Sequence, residues 1–208
     1  MANDIEADVN RLRRRIKVKK QAEIIKHMSD KELLINLYVT QLIMLTIALF
    51  TSWLLTNNVV AFLNIIELRN DHVVIGLAFG IIVVTFELFL FRTLPYSWFD
   101  DGGINNRVFS RRHPLHIVVL SAVVAISEEV LFRGVIQSYA GLWVASLLFT
   151  LIHFRYLANR FLVIFTVLVS VSLGVLFELT DNLLTVIVAH FIIDCLLGLY
   201  IRYFHNKR

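Results

Sequence analysis

Six long apolar runs constrain this 208-residue chain more than any other feature. They cover roughly residues 33–55, 73–91, 116–140, 142–154, 160–180 and 183–204, and most approach the ~20 apolar residues that an α-helix needs to cross a bilayer. Hydrophobic residues make up 58% of the chain, with only two prolines and eight glycines. The runs can therefore be continuous helices, which satisfy their own backbone hydrogen bonds in lipid. A closed barrel would need alternating residues, and these come in blocks. The expected fold class is all-α, a polytopic membrane helix bundle of six transmembrane helices, the fourth being short.

Charge orders these helices in the membrane. Lys and Arg fall at 1–32, 92–115, 155–160 and 202–208, whereas the intervening loops hold only Arg69. This bias predicts an integral membrane protein with both termini cytoplasmic, and the shortness of the chain suggests a bacterial cell membrane. The basic run RLRRRIKVKK (11–20) reads as a membrane flank facing anionic lipid, so no nucleic-acid partner is expected from the net charge of +4. The first residues have no cleavable signal pattern. Residues 1–32 are read as a cytoplasmic basic segment, 33–115 as two transmembrane helices with an interfacial loop, and 116–204 as a membrane core carrying the chemistry. Within 92–115, aromatics, arginines and an Asp-Asp-Gly-Gly turn suit an interfacial loop or short amphipathic helix, with Trp98 as an anchor.

Several charges interrupt the apolar runs. An ionisable residue at the centre of a membrane helix costs about 2.5–3.5 kcal/mol on insertion scales, so it has to face an interior and serve some purpose. Span three carries Glu128, Glu129 and Arg133. Glu129 and Arg133 are four apart and share a face, whereas Glu128 lies about 100° round the helix. Arg133 therefore has a partner in Glu129, and Glu128 is left for chemistry. Span four ends in Phe149 and His153, and span six contains His190 and Asp194, again four apart. A carboxylate one turn from a histidine can accept its ring N–H and fix its tautomer. One shared pocket accounts for all these groups together.

Such a pocket offers hydrolysis. A glutamate among Leu, Ile, Val and Phe can take a proton from water that His153 holds, and His190 can donate to the oxyanion. Glu128, His153 and His190 can instead ligate zinc with an open water position. The residue pattern leaves both mechanisms open, with no cofactor in the first and zinc in the second. Depth is a difficulty, because Glu128 lies roughly 18 Å past the start of its span at 1.5 Å per residue, whereas His153 falls near the end of its own.

EEVLFR (128–133) resembles an EExxxR motif, FTLIH (149–153) an FxxxH motif and HFIID (190–194) an HxxxN/D motif, in the order found in the CPBP family of CAAX prenyl proteases and bacteriocin-processing enzymes, also called Abi. The resemblance covers residues 116–204. It implies an intramembrane endopeptidase, a hydrolase long described as a metalloprotease but also assigned a metal-independent glutamate mechanism. By this resemblance, Glu128 activates water with His153, Glu129 and Arg133 organise the site, and His190 with Asp194 faces the oxyanion. Family members often have Asn at the last position, and Asp194 is read instead as orienting His190. Two adjacent glutamates beside an arginine favour an acid–base site over a zinc cage.

The partners so implied are a peptide or membrane-associated protein substrate and membrane lipid, in bacteriocin maturation, self-immunity or peptide signalling. The alternative function is a non-enzymatic membrane immunity or scaffold protein, and a proton-coupled transporter is a third reading. Cys195 lacks a nearby base and is read as packing. Glu87 and Glu178, near span ends, are expected to reach an interface or a partner.

Overall fold

The computed structural model describes residues 27–204, which form helices joined by short turns. The basic run at 11–20 lies outside the described residues. Helix α1 (Asp30–Thr56) starts at a capping box, in which the Ser29 side chain accepts from the backbone N–H of Glu32 and the Glu32 carboxylate accepts from that of Ser29. It ends at Asn57 in the left-handed conformation. Helix α2 (Asn70–Thr93) returns, and a 3₁₀ turn (Tyr96–Phe99) and short helix α3 (Ile104–Phe109) follow. Helix α4 (Pro114–Glu129) begins with proline in its first turn, capped by the His113 side chain, and runs on as a π-helical segment, Val130–Gln137. Then come α5 (Leu142–Ile152), a 3₁₀ turn (Phe154–Ala158), α6 (Arg160–Thr180) and α7 (Leu183–Phe204).

Five of these helical stretches are long and apolar enough to cross a bilayer, the third running from Pro114 through the π segment to Ala140. Helix α5 is not: 11 residues at ~1.5 Å each reach about 16 Å of a ~30 Å hydrocarbon core. Its 3₁₀ turn adds five residues at about 2 Å each and brings the chain back to the end from which α4 started. Contacts at that end, here termed proximal, establish the return. Asn159 donates to the carbonyls of Ser97, Trp98 and Asp100, Arg155 donates to Asn105, Arg107 pairs with Asp30, and Arg202 donates to the carbonyl of Arg112. At the opposite, distal end, Asn182 holds the loop before α2 by accepting from the Glu67 N–H and donating to its carbonyl. The described ends, at 27 and 204, therefore lie at one end of the bundle.

Helix α7 lies at the centre. Leu183, Val186 and Ala189 are fully buried against Ala48, Leu173, Val130 and Phe132. Helix α2 comes very close to it, because Gly76 and Gly80 have no side chain on that face; a Cβ there would stand 2.5 Å from the Thr185 carbonyl oxygen and 2.8 Å from that of Ala189. The His72 ring meets the Thr185 hydroxyl at 3.1 Å across the same seam. Apolar side chains cover the outside, among them Leu42, Phe50, Ile82, Phe89, Leu168 and Leu179. For a protein in water this surface would be a liability; for a membrane protein it is the lipid face.

Candidate active site

The sequence-predicted charges converge where α4, the π segment, α6 and α7 meet. Glu129 is completely buried and Arg133 is 1% exposed. The Arg133 Nη1 donates to Glu129 Oε1 at 3.0 Å. Its Nη2 donates to the carbonyl and hydroxyl of Ser170 on α6, and the guanidinium lies 4.9 Å from the centre of the Phe149 ring. The π segment begins immediately after Glu129, so this pair spans the place where the helix widens.

His190 completes the triad. Its Nδ1 stands 2.6 Å from Glu129 Oε1, and a carboxylate paired with a guanidinium only accepts, so the ring donates there. Asp194 Oδ2 is 3.6 Å from Nε2, beyond hydrogen-bond range. Glu129 is the nearer carboxylate and takes the ring at Nδ1, because the inter-helix approach of α4 and α7 brings it there, while Asp194, expected to orient His190, stands within ion-pair distance of Nε2. Asp194 also lines the cavity.

Glu128 is in a different position. It is 4% exposed, yet it receives only a long contact from Gln41 Nε2 of α1, at 3.5 Å, and stands 4.0 Å from His190 Nε2. It lines a cavity of about 610 Å³ that extends to the proximal end, and His153, His190 and Asp194 line the same cavity. His153 caps α5, and its Nδ1 donates to the Phe149 carbonyl at 2.8 Å, leaving Nε2 as an acceptor. Its ring stacks between Phe149 and Tyr156, with centroids 4.6 and 5.7 Å away. The depth difficulty resolves because α5 stops short: its C-terminus ends inside the bundle, with the 3₁₀ turn completing the descent.

Among the described residues no three His, Cys, Asp or Glu side chains stand close enough together to hold a metal ion. Glu128, His153 and His190 share the cavity without standing close enough together to form a ligand cage. The sequence patterns place none of three further cavity residues, Gln41, Glu87 and Arg155, at the site. Gln41 is a polar residue inside an apolar span, a signal that was available. Glu87, expected at an interface or partner, is half-buried and lines the cavity, because α2 packs its C-terminal half beside α7. Arg155, a loop charge by sequence, lines it too. Glu178 does reach a partner, accepting from Gln137 at 3.3 Å. Cys195 is buried outside the cavity lining.

Residues 110–196 match the family described as type II CAAX prenyl endopeptidase Rce1-like. The chain is also 37% identical over 171 residues to the "Uncharacterized protein YpbD" of Bacillus subtilis (strain 168), an alignment spanning 82% of this chain and 90% of that one. No solved structure matches it.

Proposed function

We propose that this chain, which belongs to the Rce1-like family of type II CAAX prenyl endopeptidases, hydrolyses a peptide bond of a membrane-associated substrate with water activated between Glu128 and His153. The observation that carries this reading is the unequal condition of the two adjacent glutamates. Glu129 is engaged by Arg133 and His190 in the core, whereas Glu128 meets the cavity with one long contact from Gln41.

In the proposed reaction, a water donates one hydrogen to the Glu128 carboxylate and the other to Nε2 of His153. Its oxygen attacks the carbonyl carbon as Glu128 takes the proton. His190, as imidazolium, donates from Nδ1 to Glu129 and from Nε2 to the oxyanion. Glu128 then gives its proton to the departing amine nitrogen as the C–N bond breaks, leaving a new carboxylic acid and a new amine, and the acid passes its remaining proton to the amine to give a carboxylate and an ammonium. Arg133 positions Glu129, and Glu129 positions His190. Asp194 and Gln41 shape the pocket on either side of Glu128. The bias of Lys and Arg supports a proximal end that faces the cytoplasm, so that substrate enters from that side.

The test is cleavage of prenylated and unmodified peptides by the detergent-purified chain and its Glu128→Gln form. Loss of a general base lowers the rate by about 10²–10⁴-fold. Wild-type rates in a properly folded Glu128→Gln protein would sink the proposal.

A further inference from the structure

We propose that Arg155 forms a carboxylate-binding subsite at the proximal mouth of the cavity, anchoring an acidic end of the bound peptide so that the adjoining backbone passes His153 and Glu128. This rests on the hydrolytic reading of the site and extends it to substrate choice.

Arg155 is the arginine on the cavity lining, and it differs from the three arginines that form ion pairs. Arg69 pairs with Asp71, Arg107 with Asp30 and Arg133 with Glu129. Among the described residues no carboxylate lies within ion-pair distance of Arg155, although it is half-buried and lines the cavity. Only its Nη2 is engaged, donating to Asn105 Oδ1 at 3.2 Å and to the Tyr156 hydroxyl at 2.7 Å. The Tyr156 ring lies 4.7 Å from the guanidinium carbon. These contacts hold the group in place while Nε and Nη1 keep their N–H donors for another acceptor. Asp101, on the same cavity, is committed elsewhere: its oxygens accept from the backbone N–H groups of Gly103 and Asn105.

The position ties this cation to the chemistry. Arg155 and His153 sit two residues apart at the start of one 3₁₀ turn, and Tyr156 touches both, stacking on the His153 ring and carrying the guanidinium. An extended peptide advances about 3.3–3.6 Å per residue, so an acid at Arg155 lies within a few residues of a carbonyl beside His153. Arginine suits such a role because its charge is permanent and its donors are fixed in a plane. A lipid phosphate presents similar oxygens at the same mouth; a cavity that runs from Arg155 inward to His153 and Glu128 favours the peptide.

The test uses the full chain carrying Glu128→Gln in detergent micelles, titrated into fluorescent mixed-sequence hexapeptide pools that end in a free carboxylate or an amide. The free-acid pool binds about tenfold or more tightly than the amide pool, as expected for hydrogen bonds to a charged group. Arg155→Met brings the two within about twofold, and Arg155→Lys keeps part of the preference. Equal binding of the pools, binding of neither, or a preference that survives Arg155→Met overturns the proposal. So does competitive displacement of the acid pool by phosphatidylglycerol in the Arg155 chain but not in Arg155→Met, which assigns the cation to lipid. Wild-type cleavage is measured separately. An acid preference without any cleavage supports the subsite while removing the hydrolytic reading.

Discussion

Replacing Arg133 with methionine should cost this protein much of its stability, and the reason can be worked from its surroundings. The side chains of Arg133 and Glu129 are 1% and 0% exposed. Arg133→Met removes two hydrogen bonds to Ser170, which at about 0.6 kcal/mol each for neutral partners inside a membrane protein are the minor loss. The larger one is the carboxylate left behind. Glu129 would retain only His190, and its Oε2 already lacks a protein partner. Breaking a buried pair from one side costs about 3–5 kcal/mol. Glu129→Leu combined with Arg133→Met removes both charges together, so the double variant should be more stable than Arg133→Met alone, with a coupling of about 2 kcal/mol or more. Reversible unfolding in mixed micelles with rising SDS fraction, followed by tryptophan fluorescence, measures Glu129→Leu, Arg133→Met and the double variant. Two single effects that add to within about 0.5 kcal/mol, the behaviour of independent sites, would refute the account. The stabilised double variant should still be inactive, since His190 has lost the group that aims it.

Gly80→Ala should destabilise the bundle by about 1–3 kcal/mol, because its Cβ would stand 2.8 Å from both the Ala189 carbonyl oxygen and the Ile192 side chain and force α2 away from α7; the same SDS titration reads it, and an unchanged midpoint would contradict the close seam. Metal chelation should leave peptide cleavage within about twofold of the untreated rate, since among the described residues no three His, Cys, Asp or Glu side chains stand close enough together to hold a metal ion; complete loss that added zinc restores would mean that the side chains regroup around a metal.

The helices were legible because lipid imposes a simple rule. An apolar run must be helical and about 20 residues long, and the predicted spans at 160–180 and 183–204 coincide with α6 and α7. The ionisable residues of the site were legible for the same reason, since each is expensive where it lies. Spacing along one helix also gave the Glu129–Arg133 pair. At His190 the same logic pointed to Asp194 four residues away, which stands 3.6 Å from Nε2, and was silent on Glu129 at 2.6 Å from Nδ1, because contacts between helices leave no mark in local spacing. The π segment was invisible too: VLFRGVIQ has no feature that separates i→i+5 from i→i+4 bonding. Arg155 and Glu87 were missed because charges near span ends are cheap, and cheapness hid their positions on the cavity.

The two neighbouring glutamates cannot exchange duties, and this follows from the helix that carries them. A step of one residue turns the side chain by about 100°. Once Arg133, one turn on, fixes Glu129 towards α6 and α7, Glu128 must point elsewhere, and here it points towards α1 and the cavity. The core pair thus serves orientation twice: it holds His190, and it sets the rotation of α4 that presents Glu128. Hydrolysis inside a membrane protein also needs a route for water that lipid does not seal. Polar α1 side chains Asn36, Thr40 and Gln41 line the cavity between the proximal end and Glu128, giving water hydrogen-bonding partners along the way. Replacing Glu128 with aspartate would keep the charge and shorten the reach by one methylene, and no movement of α4 could recover it without breaking the Glu129–Arg133–His190 contacts that hold the helix in place.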